Sequence, residues 1–216
     1  MSIIIERFDK IKLNIDEIKP KKKVTIIAVS KTFSLDYIKP LLDYGHNHFG
    51  ENKVQEALSK WKEEKNKKEN LKLHMVGKLQ SNKAKSAIEI FDYIHSLDNQ
   101  KLADTLSKNQ KNLNKSLKYF IQVNIGNEIQ KSGIPVNQLD FFYTYCTKEI
   151  KLDVIGLMVI PPNDGNANKY FKSMEEINNS LALKELSMGM SADYREAIKY
   201  NATFVRIGSS IFGSRS

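Results

Sequence analysis

A single cysteine, Cys146, occurs in 216 residues, which excludes a disulfide framework and a thiolate metal cluster and points to a reducing compartment. No apolar run approaches the roughly 20 residues that cross a bilayer. Ile3-Ile4-Ile5 is too short for a signal-peptide core and is followed at once by charge. The expectation is therefore a soluble, cytoplasmic protein with no membrane partner and no metal. Joining segments rich in Pro, Gly and Ser are missing too, so nothing marks an internal boundary, and 41% hydrophobic residues over this length suit one core. We expect a single domain over residues 1–216, with an N-terminal extension to about residue 20.

Positive charge is in excess, at a formal +9. Clustered Lys and Arg are the electrostatic footprint of phosphate-backbone binding. Here the basic stretches Lys19–Lys23 and Lys60–Lys68 fall in a linker and on a charged helix, are mixed with Glu, and lack a stacking platform of the RNA-binding kind. They read as solubilising charge, against nucleic acid as the ligand.

Short β-rich runs alternate with amphipathic stretches along the chain. The pattern predicts strands at 24–29, 46–49, 73–76, 93–96, 119–124, 154–159, 185–188 and 204–207. Helices are predicted at 34–44, 52–66, 81–91, 99–112, 136–148, 166–183 and 191–200, with Ser34, Ser81, Asn99 and Ser191 as N-caps and Pro135 opening its helix. Eight strands separated by helices point to an α/β fold of the (β/α)8 TIM-barrel type, with a doubly wound open sheet as the runner-up.

A barrel places its site at the C-terminal ends of its strands. Polar and glycine-containing segments gather there: Ser30-Lys31-Thr32 after the first strand, Gly50-Glu51-Asn52 after the second, and Gly77 to Lys83 after the third. Lys31 stands out, because the β-branched run before it reads as a strand buried on both faces. Against apolar walls an ammonium loses hydration, its pKa falls, and the nucleophilic amine becomes available. The blander reading, a lysine snorkelling from a strand end, is the commoner one in a lysine-rich chain. The loops after the last two strands carry Ser187, Gly189 and Ser191, then Gly208, Ser209 and Ser210. Each loop alone could be an ordinary turn. A Gly-Ser pair leading into a short helix also exposes N–H groups to a dianion, and the first and last strands of a closed barrel are neighbours. One phosphorylated aldehyde could then reach both Lys31 and these loops.

AVSKT at 28–32, FGEN at 49–52, HMVGKLQSNK at 74–83, GLM at 156–158, LSMGMS at 186–191 and VRIGSSIFG at 205–213 occur together and in this order. On these motifs the chain resembles the pyridoxal phosphate homeostasis proteins over nearly its whole length. The resemblance implies the barrel of the alanine racemase N-terminal domain, with pyridoxal 5′-phosphate bound as an internal aldimine on Lys31. It implies that Gly208 and Ser209 form the phosphate turn, that at least one of Ser187 and Ser191 reaches the phosphate, and that Arg206 faces the pyridine nitrogen. Asn52 falls where the family brings a side chain close to the cofactor. The competing readings are an ion pair closing the barrel end for Arg206 and helix capping for Asn52.

A guanidinium beside the pyridine nitrogen discourages its protonation, so the ring is a poor electron sink. The second β-domain that supplies a tyrosine to alanine racemases is not expected in this sequence. His74 and His95, isolated near strands, read as structural. The implied function is a carrier that holds the cofactor, assigns no residue a catalytic role and hands the cofactor to apoenzymes, as a monomer or weak dimer. The alternatives are a racemase-type enzyme and a basic nucleic-acid-binding protein. Asn201-Ala202-Thr203 replaces a glycine-containing turn, which Asn can make in the left-handed conformation. Gly126 departs from a usual serine and leaves Lys131 between a second cofactor contact and a surface charge.

Overall fold

The β-branched run after Lys23 does become a strand, β1 (Thr25–Val29), with Ile26 and Ala28 facing the helices and Ile27 and Val29 facing inward. The computed structural model describes residues 2–128 and 130–213. Further strands are β2 (His48–Glu51), β3 (Lys72–Met75), β4 (Tyr93–Leu97), β5 (Lys118–Asn124), a two-residue β6 (Ile134–Pro135), β7 (Asp153–Val159), β8 (Glu185–Met190) and β9 (Phe204–Ile207). All pair in parallel, in the order β4-β3-β2-β1-β9-β8-β7-β5, and a β4–β5 pairing closes the barrel, with β6 appended to β5. The eight expected strands are all present, so the TIM-type barrel stands and the open sheet does not. The expected seventh and eighth strands are β8 and β9.

Helices α2 (Leu35–Asp43), α3 (Val54–Lys67), α4 (Ala84–Ile90), α5 (Gln100–Asn112), α6 (Leu139–Thr144), α7 (Ala167–Ser180) and α8 (Tyr194–Lys199) separate the strands, and α9 (Ser209–Phe212) follows the last. Their apolar faces and the outward strand residues make one large core, while Ile27, Val29, Phe120, Met158 and Phe204 fill the barrel interior. The N-terminal segment, expected only as an extension, is a helix of its own, α1 (Ile3–Ile18). Ile4, Phe8, Ile11 and Ile15 recur at helical spacing on its buried face, which packs on α8, α9 and α2. None of the described helices is long and apolar enough to cross a membrane.

Some boundaries differ from the sequence reading. Ser34 and Asn99 cap their helices through their side chains, but Ser81 opens a 3-10 turn after Gln80, and α8 starts three residues beyond Ser191, behind Asp193. The stretch 136–148 is not one helix: a 3-10 turn at Val136–Gln138 precedes α6, and a π-helical turn at Tyr145–Glu149 follows it. Pro135 stands just before that 3-10 turn in extended backbone. β2 runs to Glu51 because Glu51 pairs with Met75 in the ladder. Asn201 takes the left-handed conformation expected of it, at φ 59°.

One polar side chain ties a helix to the sheet. Asn178 of α7 is buried, accepts from the Leu157 N–H at 3.3 Å and donates to the Leu183 carbonyl at 2.9 Å. Asn178→Ala leaves both backbone groups without these partners, and about 2 kcal/mol of unfolding free energy should be lost. A urea titration that returns the parent midpoint would disprove this.

Candidate functional site

Two stretches of backbone, one on each side of Lys31, are pinned from behind the barrel. On the first side, the buried Ser30 donates its N–H to the Gly50 carbonyl at 2.9 Å and its hydroxyl to Glu51 Oε1 at 2.7 Å. Lys60 of α3 donates to the Ser30 carbonyl and to Glu51 Oε1, both at 2.9 Å, and Trp61 Nε1 donates to the same carboxylate oxygen at 2.9 Å. On the second side, the Thr32 N–H donates to Glu56 Oε1 at 2.6 Å, and Lys60 donates to that oxygen at 3.1 Å. Burial opposes ionisation of Glu56, but the Thr32 N–H and the Lys60 ammonium outweigh it and hold the carboxyl below its usual pKa. Thr32 itself sits at φ 70°, a conformation that a β-branched residue adopts only when its surroundings impose it.

The Glu51 and Lys60 side chains are 0% and 7% exposed, so this is an ion pair withdrawn from water. Lys60→Met removes the cation and leaves a buried carboxylate, which should cost about 3–5 kcal/mol. Chemical denaturation reads this directly, and a loss below 1 kcal/mol, on the scale of a surface ion pair, would count against the network.

On the strand next to the one that leads to Lys31, Arg206 enters the barrel from β9, in register with Ile27 of β1. It is 5% exposed. Its Nη1 donates to the Ser187 carbonyl at 2.9 Å and the Ser187 hydroxyl at 2.8 Å, and its Nη2 donates to the Val159 carbonyl at 2.8 Å. Burial lowers its pKa to about 10, which leaves it charged at neutral pH. The competing ion-pair reading fails, since among the described residues no carboxylate bonds to Arg206. Beyond Arg206 the chain turns at Gly208 into α9, where the Ser210 N–H donates to Ser191 Oγ at 3.3 Å. Ser191 thus faces the start of α9 instead of capping α8.

Asn52 is fixed by a neighbour. A Cβ on Gly77 would lie 2.5 Å from the Asn52 carbonyl oxygen, so only glycine lets the loop after β3 press on Asn52. Lys53, not Asn52, is the cap position of α3, and Asn52 is free of the capping role weighed for it.

Lys31, Asn52, Ser191, Arg206, Gly208 and Ser209 converge on one cavity of about 560 Å³ at the C-terminal mouth, walled by Val29, Phe33, Val76 and Met190. Its size and its few polar groups on apolar walls are those of a small-molecule site. Seven site residues were expected and six line it; the exception is Ser187, fully buried beneath the floor, its hydroxyl bonded to Arg206 and to His95.

The family described as "Alanine racemase, N-terminal domain" matches residues 7–216. The pyridoxal phosphate homeostasis protein of Aquifex aeolicus is 37% identical over 199 residues, covering 88% of this chain and 86% of that protein. That of Vibrio cholerae is 38% identical over 207 residues, covering 91% and 88%. The solved structure of PipY from Synechococcus elongatus with pyridoxal phosphate bound superposes with a TM-score of 0.86 at 34% identity, covering 97% of this chain and all of that one. This chain belongs to the pyridoxal phosphate homeostasis protein family.

In this homeostasis-family chain, the remaining candidates do not line the cavity. His74 and His95 are fully buried in the barrel interior and line no part of the cavity. Lys131 pairs with Glu128 at 2.6 Å and donates to the Pro161 carbonyl at 3.2 Å. Cys146 is buried, and burial pushes its thiol up to about 12, out of the range of a reactive cysteine. Among the described residues no cluster of His, Cys, Asp or Glu could hold a metal ion. The Glu51–Lys60–Trp61 group was not foreseen. The i, i+9 and i, i+10 spacing from strand end to facing helix was its only trace in the sequence.

Proposed function

We propose that the chain binds pyridoxal 5′-phosphate in this cavity and holds it for release, with little or no turnover of its own. The observation that carries the reading is one cavity presenting a primary amine, a buried guanidinium and a Gly-Ser turn from neighbouring strands. The fit is specific in kind: Lys31 would take the aldehyde, Arg206 would face the pyridine nitrogen, and Ser191, Gly208 and Ser209 would surround the phosphate. Asn52 and Val76 would flank the ring. Ser187 would act from behind Arg206 instead of touching the ligand.

The bound cofactor supplies an electrophilic carbonyl and a conjugated ring that can accept electrons. The protein's residues temper that chemistry. Arg206 offers only donors, so it places no proton acceptor or carboxylate beside the ring nitrogen. Its Nε–H makes no hydrogen bond among the described residues and is available to an acceptor in the cavity. Among the described lining residues none is a carboxylate, imidazole, phenol or thiol, which leaves the Lys31 amine as the group there that could move a proton. Racemisation requires a proton-transfer group on each face of the substrate, which supports holding over turnover.

We further read the chain as a single barrel domain including α1, cytoplasmic, acting as a monomer or weak dimer that passes its ligand to apoenzymes. Borohydride reduction of protein incubated with pyridoxal phosphate, followed by peptide mapping, should place a pyridoxyl group on Lys31. Labelling confined to other lysines would defeat the proposal. Sustained racemisation of free amino acids by the purified protein would favour the enzyme reading instead.

A further inference from the structure

Three imidazoles cross the barrel interior in single file. His48 Nδ1 lies 2.9 Å from His74 Nε2, His74 Nδ1 lies 3.0 Å from His95 Nε2, and His95 Nδ1 lies 2.9 Å from the Ser187 hydroxyl. Arg206 Nη1 closes the line on that hydroxyl at 2.8 Å. The file runs from β2 through β3 and β4 to β8 and β9. One end meets a cleft at the opposite mouth, lined by His46, His48 and Lys23, and the other meets the guanidinium in the cavity wall. Aromatic rings clamp it in place: Tyr93 stacks on His74 and Phe120 on His95, each at 4.3 Å between ring centres.

His74 and His95 use both ring nitrogens and are 0% exposed. Burial pushes both pKa values well below the ordinary range, helped at His95 by the Arg206 charge, so both rings are neutral. A neutral imidazole has one N–H and one lone pair. Which nitrogen holds the proton is then a question of who donates at the end of the line.

Arg206 decides it. Guanidinium has only donors, so it occupies a lone pair of the Ser187 oxygen. The Ser187 hydroxyl proton has a single acceptor among the described residues, His95 Nδ1. The reverse direction would give that oxygen two donors and leave its own proton without an acceptor in a site closed to water, at a cost of about 1–3 kcal/mol. With Nδ1 accepting, His95 carries its proton on Nε2 and donates to His74 Nδ1. His74 then donates from Nε2 to His48 Nδ1, which leaves the His48 Nε2–H directed away from the file.

We propose that Arg206 imposes one direction of hydrogen bonding on Ser187, His95, His74 and His48, and that this file in return holds the guanidinium in the cavity wall. Ser187 and the three histidines are positioning residues. They touch nothing in the cavity and act through Arg206. The assignment does not depend on what the cavity binds.

Nitrogen-15 NMR of histidine-labelled full-length protein, without added ligand at neutral pH, should show His48, His74 and His95 with protonated Nε2 and bare Nδ1. A protonated Nδ1 on His95, or an imidazolium at His74 or His95, would overturn the direction. The positioning half is read at the Arg206 Nη2–H that donates to the Val159 carbonyl. Ser187→Ala removes one of the guanidinium's anchors, and solvent exchange of that proton should quicken about tenfold, the equivalent of ~1.4 kcal/mol. His95→Asn, whose Oδ1 can still accept from the Ser187 hydroxyl, should leave that exchange near the parent rate while His74 loses its single tautomer. Unchanged exchange in Ser187→Ala would refute the positioning role. The tautomer measurement needs only the unaltered protein, so it stands even if a variant does not fold.

Discussion

Lys31→Ala should fold normally and lose all pyridoxal phosphate that survives gel filtration, because the substitution removes the amine and leaves its supports in place. Bonds that pin this segment run through the backbone and hydroxyl of Ser30 and the N–H of Thr32, and the substitution leaves them in place. Stability should stay within about 0.5 kcal/mol of the parent, as for a partly exposed position. Affinity should fall by at least about a hundredfold, or ~2.7 kcal/mol, leaving only the contacts proposed for Ser191, Arg206, Gly208 and Ser209. Absorbance after dialysis, with borohydride reduction as the control, decides the matter. A variant that keeps its visible band after dialysis would show that another amine holds the ligand.

The barrel should also lose stability steeply in mild acid, from about pH 6.5 down to about pH 4. In the unfolded chain imidazoles protonate near pH 6.5. In the folded chain burial lowers His46 to about 4, and it pushes His74 and His95 well below the ordinary value. The unfolded state therefore binds more protons across that window, and unfolding free energy falls as pH falls. His46 alone accounts for on the order of 3 kcal/mol, and the two interior imidazoles add to it in the same direction. The groups facing the file pull in known directions: Lys72 and Lys23 oppose a charge on His48 while Asp92 favours it, and Arg206 opposes one on His95. Urea titrations at stepped pH measure the slope. A flat profile between about pH 7 and pH 5 would be incompatible with neutral buried imidazoles, and His46→Asn should remove part of the slope.

Most strands were legible because they bury β-branched or aromatic runs, as β1, β4, β5, β7 and β9 do, and Lys31, Asn52, Gly208 and Ser209 were legible because they follow strands within local motifs. Ser187 shows where that legibility stops. Along β8 the residues Leu186 and Met188 face the helices, which turns Ser187 into the barrel. A register shift between Ser187 and Met190 against β9, with Gly189 at φ 91°, then lets the chain bring Ser191 to the mouth. No linear pattern separates two serines of one motif by an irregularity that only pairing reveals. The histidine file was hidden for a related reason: His48, His74 and His95 lie on three strands, and their alignment depends on the stagger of a closed barrel. For α1, the spacing of Ile4, Phe8, Ile11 and Ile15 is that of a helix with one buried face, but with a leader set aside the segment was expected only as an N-terminal extension.

That N-terminal helix has a bearing on the far end of the chain. It packs on α9, the four-residue helix whose first residue borders the cavity, and Ile211 and Phe212 are buried there. A polypeptide beginning at β1 would retain every strand of the barrel and lose the bed on which α9 lies. Residues 3–18 thus form a foundation for α9, and the Gly208–Ser209 corner of the mouth is completed only when these two distant segments have met.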